Sequence, residues 1–193
     1  MSSTVLYGIT KEFKGEEIAN YKNSWLFKPC VWWVLQEKYL GNKDPLMRNE
    51  TFKECNNLLN ESSNTSDRIL WELSNEQIFF AKDTETIAKA IKNFLAENKE
   101  YGIGDDGKGI LTQDHIIERF NEIANDMLTN KDKYEYFVVQ GTTVSGRVEG
   151  WFIDYENDCE CPLKPDSDAE FVVIENEEIT YIALADEVVL NRE

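Results

Sequence analysis

The amino-acid sequence predicts an α+β fold in which N-terminal helices pack on a mainly C-terminal antiparallel β-sheet. Apolar residues recur at helical spacing over much of residues 1–133, and short β-type segments with turn signals follow in residues 134–193. Strands and helices do not alternate along the chain, so parallel βαβ units are not expected. The chain has 193 residues, of which 41% are hydrophobic, and we predict one domain over residues 1–193.

The first 66 residues are predicted to form one short strand followed mainly by helices. Residues 5–9 have the composition of a strand. The aromatic-rich residues 16–39 are predicted as two helical pieces separated by Pro29, which has no N–H to donate inside a helix. The further predictions are a turn at residues 41–45, a helix at residues 51–60 and an exposed loop at residues 60–66.

Helical spacing becomes stronger between residues 67 and 133. Residues 69–73 and 77–80 flank a polar triplet and predict a hairpin, with the end of a helix as the alternative for the first segment. A helix is predicted from residue 83 or 84 to about residue 98. The glycine-rich residues 102–109 predict a loop, and a third helix is expected to begin at Thr112, a favourable N-cap residue.

The pattern changes to β-type segments after Lys133. Residues 148–155 alternate between two sets of side chains, as expected for a strand with two different faces. The other predicted elements of this region are a strand at residues 136–139, a hairpin of residues 170–174 and 179–184, and a short strand at residues 186–190.

The charge of the chain is strongly negative and unevenly distributed. There are 37 acidic and 20 basic residues, and residues 134–193 alone hold 15 acidic and 3 basic residues. Such a field repels nucleic-acid phosphates and anionic lipids and attracts basic surfaces, so we expect a basic protein partner and no direct nucleic-acid contact. No apolar run reaches the roughly 20 residues that cross a membrane, and the N-terminus lacks the features of a secretion signal. We therefore predict a cytoplasmic protein that does not bind membranes.

None of the motifs for catalysis, cofactors or metal ions is complete. Residues 102–109 resemble a GxxxxGK[ST] phosphate-binding loop, but Gly109 replaces the hydroxyl residue, and Asp105 and Asp106 would repel phosphates. The same loop lacks the ligand spacing of a calcium site. His115 is the single histidine and so the only candidate base for a Ser or Cys nucleophile, but it falls in the first turn of a predicted helix, where an exposed polar residue is ordinary. The four cysteines lack zinc-ligand spacing. We predict no enzymatic activity, no cofactor and no metal ion.

Trp151 is the candidate aromatic anchor of a binding surface. Carboxylates surround it in the sequence, and an aromatic side chain among them suits the centre of a protein interface. The alternative is that Trp151 belongs to the core, as we expect for the N-terminal cluster that contains Trp25. The predicted partner-binding residues are Glu149, Trp151, Asp154, Glu156, Asp158 and Glu160.

The chain resembles bacterial toxin-immunity proteins, including those of contact-dependent inhibition systems. The similarity lies in residues 21–25 (YKNSW), in residues 136–139 (YFVV) and in residues 149–152 (EGWF). The resemblance implies a cytoplasmic inhibitor that binds a nuclease toxin tightly and covers its basic active-site cleft. It assigns no individual binding residue to this sequence, and the sequence carries no signal for an oligomeric state.

Charge and resemblance together predict an acidic binding protein that neutralises a basic toxin. Two alternatives remain open at this point. One is a phage-type mimic of DNA that blocks a host nuclease or restriction enzyme, which needs carboxylates spaced like phosphates. The other is an enzyme that works with carboxylates alone, which needs a pocket lined by acids of raised pKa.

Overall fold

A six-stranded mixed sheet forms the centre of the computed structural model, which describes residues 2–41, 49–104, 106–142, 147–163 and 170–183. The sheet strands are β1 (Ser3–Ile9), β2 (Gly15–Lys22), β3 (Ile78–Phe80), β4 (Tyr136–Gly141), β7 (Glu170–Glu175) and β8 (Glu178–Ala183). The strand order is β2-β1-β4-β3-β7-β8, and neighbouring strands are antiparallel except for the parallel pair of β3 and β7. A separate two-stranded ribbon consists of β5 (Ile153–Asp154) and β6 (Cys159–Glu160).

The described residues contain six α-helices, and five of them precede β4. Pro29 lies in the first turn of α1, where its missing N–H is tolerated, and Gly41 ends α1 in a left-handed conformation. The helices are α1 (Lys28–Leu40), α2 (Asn49–Glu61), α3 (Thr65–Ser74), α4 (Thr84–Glu97), α5 (Asp114–Asn130) and α6 (Arg147–Trp151). The predicted α+β class and the mostly N-terminal position of the helices are confirmed.

Two hydrophobic cores lie on opposite faces of the sheet. β4 is buried along its whole length, and its side chains alternate between the two cores. Phe137 and Val139 face the larger core, which α1 to α5 cover. Tyr136 and Val138 face a smaller core, which residues from the segment 147–163 cover. That segment therefore closes the second face of the sheet.

Two predicted elements are wrong. Residues 15–22 form strand β2 and not a helix, because they pair with β1 across a tight turn in which Phe13 adopts a positive φ of 60°. Residues 148–155 do not form one strand, since α6 ends at Trp151 and only the two residues of β5 follow as strand. Val148 and Trp151 are three residues apart, so one helical turn directs both side chains into the second core.

The other predictions differ from the structure mainly at their ends. The helix at residues 51–60, the helix from residue 84, the strand at residues 136–139 and the hairpin after residue 170 are confirmed. Residues 69–73 belong to α3, the alternative to a hairpin, and the loop before it shortens to residues 62–64. Gln113, and not Thr112, occupies the N-cap of α5. Residues 42–45 and the strand predicted at residues 186–190 lie outside the described residues.

Candidate functional site

A cavity of about 380 Å³ lies between the β1–β2 hairpin and the segment that closes the second face of the sheet. The hairpin contributes Tyr7 from β1 and Glu17 from β2 to its lining. The covering segment contributes Glu149 from α6 and Glu160 from β6. Two elements that are far apart in the sequence thus bring acidic side chains together. We refer to this space as the acidic cavity.

Gly15 allows the aromatic part of the acidic cavity to form. A Cβ atom on Gly15 would lie 2.6 Å from ring atoms of Phe152, which is closer than real side chains approach. Because Gly15 has no side chain, the Phe152 ring lies over the start of β2 and near Tyr7, with 6.2 Å between the two ring centroids. Phe152 is buried on its other side in the second core.

Backbone hydrogen bonds fix the covering segment over the sheet. The N–H of Glu149 donates to the Gln140 side chain of β4 over 2.9 Å. The N–H of Leu163 donates to the carbonyl of Phe13 in the hairpin turn over 2.8 Å. Both ends of the segment are therefore attached to the sheet, and the acidic cavity lies between the attachments.

The electrostatic potential of the acidic cavity is negative. Its lining includes three carboxylates and one cation, Lys14. Among the described residues, none of these four side chains forms an ion pair. Burial and the negative charges of Glu149 and Glu17 raise the pKa of Tyr7 to about 12. Burial is the larger cause of this rise, but the two negative charges that contribute to it also favour a bound cation.

The structure divides the five acidic residues among the six predicted binding residues into three groups. Glu149 and Glu160 line the acidic cavity. Glu156 and Asp158 are exposed on the turn that connects β5 and β6. The Asp154 carboxylate instead stabilises that turn, because it accepts hydrogen bonds from the backbone N–H groups at positions 156 and 157.

Trp151 is not an exposed anchor, since only 7% of its surface is accessible and it packs in the second core. The core alternative was therefore correct, and the aromatic residue that the acidic turn exposes is Tyr155, at 74%. No signal in the sequence indicated Tyr155, because the predicted strand assigned it no special position.

Trp25 lies at the surface and not in the core, with 63% of its surface accessible. It belongs to a 3-10 turn at Ser24–Leu26 that begins after Asn23, whose φ is 67°. The Asn23 side chain accepts a hydrogen bond from the Trp25 N–H, and Arg119 donates to the carbonyl of Lys22 over 2.9 Å. The asparagine at position 23, a residue type that tolerates this left-handed conformation, was the signal in residues 21–25 that could have indicated a turn.

Among the described residues, the carboxyl group whose pKa is raised most lies away from the acidic cavity. Glu72 of α3 is 7% exposed, and burial raises its pKa to about 7. Its carboxylate accepts a hydrogen bond from the Tyr181 hydroxyl of β8 over 2.9 Å. A buried acid and an acid-lined cavity therefore occur at different places in the described part of the chain.

The described residues contain no cluster of three or more His, Cys, Asp or Glu side chains that could hold a metal ion. Within the same residues, no helix is long and apolar enough to cross a membrane. Comparisons with protein-family models, with curated proteins and with solved structures give no significant match.

Proposed function

We propose that this chain is an acidic binding protein of the cytoplasm that neutralises a basic partner, a nuclease toxin domain, by covering its active site. The observation that carries the proposal is the acidic cavity, where Glu17, Glu149 and Glu160 are free of ion pairs among the described residues. Carboxylates that form no ion pair among the described residues are available for lysine or arginine side chains of another protein.

The turn between β5 and β6 extends this negative surface outward. Glu156 and Asp158 are exposed on the turn, and Glu160 directly beyond them lines the acidic cavity. Residues 134–193 as a whole carry 12 more acidic than basic residues. Nuclease clefts are basic because they hold phosphates, so this surface would accelerate association and do so most at low ionic strength.

The proposal is tested by capture of partners with two charge-reversed variants of the immobilised chain. The test variant carries Glu149→Lys and Glu160→Lys at the acidic cavity. The control carries Glu50→Lys and Glu54→Lys, which make the same change of net charge at exposed positions of α2. We expect extracts of the source cells to yield a protein with a basic surface that binds the wild-type chain and the control.

The test variant is expected to bind the purified partner about tenfold or more weakly than the control does. The partner expressed alone should stop cell growth, and co-expression with the wild-type chain should restore it. Equal losses in both variants would contradict the acidic cavity as the binding site. A host nuclease or restriction enzyme that is harmless by itself would favour the DNA-mimic alternative.

A further inference from the structure

The acidic cavity combines aromatic rings with carboxylates that come from different directions. The Tyr7 ring is partly exposed at the cavity, and the nearly buried Phe152 ring lies beside it, tilted by 33°. Glu17, Glu149 and Glu160 belong to β2, α6 and β6, so three separate elements contribute acidic residues to the lining. A group that complements this lining must be cationic, flat enough to lie against a ring, and able to donate several hydrogen bonds.

We propose that the acidic cavity receives one arginine side chain of the partner, which stacks against Tyr7 and pairs with Glu149 and Glu160. The guanidinium group is planar and presents five N–H donors in a fixed arrangement, so it can contact rings and carboxylates at the same time. A lysine ammonium group is a compact, strongly hydrated charge and gains less from the rings. This inference rests on the proposed function, because it specifies how the same cavity would hold a basic partner.

The cavity is large enough to receive a single side chain. Its volume of about 380 Å³ lies near the lower end of the roughly 300–1,000 Å³ typical of ligand sites. The Tyr7 hydroxyl has no hydrogen-bond partner within the described part of the chain, so it can accept a further N–H. Lys14 at the same lining is the chain's own competing cation.

The inference is tested by NMR titration of the intact chain at low ionic strength with three amino-acid derivatives. The probe is N-acetyl-L-arginine amide, in which the guanidinium is the single charge. The controls are N-acetyl-L-lysine amide and the neutral N-acetyl-L-citrulline amide. We expect the arginine derivative to bind about three- to fivefold more tightly than the lysine derivative, and the citrulline derivative not to bind. Shifted resonances should centre on Tyr7, Gly15 and Ile153.

Matched variants separate the contributions of the carboxylates and the rings. The pair Glu149→Gln and Glu160→Gln should weaken arginine binding about tenfold, whereas Glu156→Gln and Asp158→Asn, with the same charge change on the exposed turn, should change it less than about twofold. Tyr7→Leu should abolish the preference for arginine over lysine while lysine still binds.

Removal of the competing cation should have the opposite effect on affinity. Lys14→Ala leaves all three carboxylates in place, so the arginine derivative should bind about two- to threefold more tightly than it binds the wild-type chain. Far-UV circular dichroism and the Tm of each variant establish that it has folded.

Each outcome separates this inference from the proposed function. Equal affinities for arginine and lysine, or resonance shifts outside the acidic cavity, would overturn the arginine assignment. If the partner protein depends on Glu149 and Glu160 but the arginine derivative does not bind, the arginine assignment is wrong and the proposed function stands. If the derivative binds as expected but no basic partner exists, the proposed function fails and the arginine site remains.

Discussion

Replacement of Glu72 by glutamine should make the chain more stable at alkaline pH. In the folded chain, burial raises the pKa of Glu72 from 4.5 to about 7, and the negative charge of Glu170 acts in the same direction. The Tyr181 hydrogen bond and the charge of Arg68 oppose this rise but are smaller than burial. The folded chain therefore binds this proton more tightly than the unfolded chain does.

The sign of the pH dependence follows from that difference. Stability associated with the protonated carboxyl is fully present below pH 4.5 and is lost as the pH rises through about 7. The difference between the two pKa values corresponds to about 3 kcal/mol, of which about 2 kcal/mol falls between pH 5.5 and 8.5. Glutamine resembles the protonated carboxyl and still accepts the hydrogen bond from Tyr181, so Glu72→Gln should avoid this loss.

Urea unfolding of the wild-type chain and of Glu72→Gln at several pH values between 5.5 and 8.5 measures the effect. The difference in unfolding free energy between the two proteins removes the contribution of all other titrating groups. It should increase in favour of the variant by about 2 kcal/mol over this range. Glu118→Gln, at an exposed position of α5, is the control and should show no such increase. A difference for Glu72→Gln that does not change with pH would refute the reasoning.

Three further predictions concern the buried ion pair at the start of α1, the exposed Trp25 and the β7–β8 turn. Lys28 pairs with Glu76 over 2.7 Å in the interior, so Lys28→Met would leave the Glu76 carboxylate buried without the charge of Lys28. The variant should lose about 3–5 kcal/mol of unfolding free energy in urea denaturation, and a loss below about 1 kcal/mol would contradict this reasoning. Trp25→Phe should remove most of the native fluorescence that acrylamide quenches, and unchanged quenching would place the accessible tryptophan elsewhere. Glu177 has a φ of 68°, so Glu177→Gly should stabilise the hairpin by about 0.5–1 kcal/mol, and a lower Tm would contradict a left-handed conformation there.

Amphipathic helices were the elements that the sequence predicted best. α4 and α5 each bury one face in the larger core, and their apolar residues repeat at the helical period. That pattern arises within the element itself, so a single sequence contains it. The predicted start of α5 at Thr112 is too early, because residues 110–112 form a separate 3-10 helix and α5 begins at Asp114.

Elements that depend on distant partners were predicted poorly. β2 is an edge strand whose backbone pairs with β1 and contains a bulge opposite Leu6 and Tyr7, so its exposed and buried residues do not alternate regularly. α6 has five residues, too few to form a stable helix by itself, and depends on burial of Val148 and Trp151. The local sequence pattern therefore indicates neither the strand conformation of β2 nor the helical conformation of α6.

The candidate site shows the same division. The density of acidic residues after Lys133 indicated Glu149 and Glu160, because charge is a local property of the sequence. Tyr7 and Glu17 gave no local signal, since they join the acidic cavity only after the N-terminal hairpin pairs with β4. The predicted anchor Trp151 was wrong for a related reason, because its environment is the sheet beneath it and not the carboxylates beside it in the sequence.

Stability and binding should be separable at the acidic cavity, although the same segment serves both. The Phe152 ring is shared by the second core and the cavity, so changes at Phe152 or Gly15 would alter packing together with the shape of the site. Glu149 and Glu160 are exposed and have no ion-pair partner among the described residues, so their neutral amides should leave the packing of the fold almost unchanged. A loss of affinity in those two variants therefore reports the charge of the cavity, whereas the same loss at Phe152 would not distinguish binding from packing.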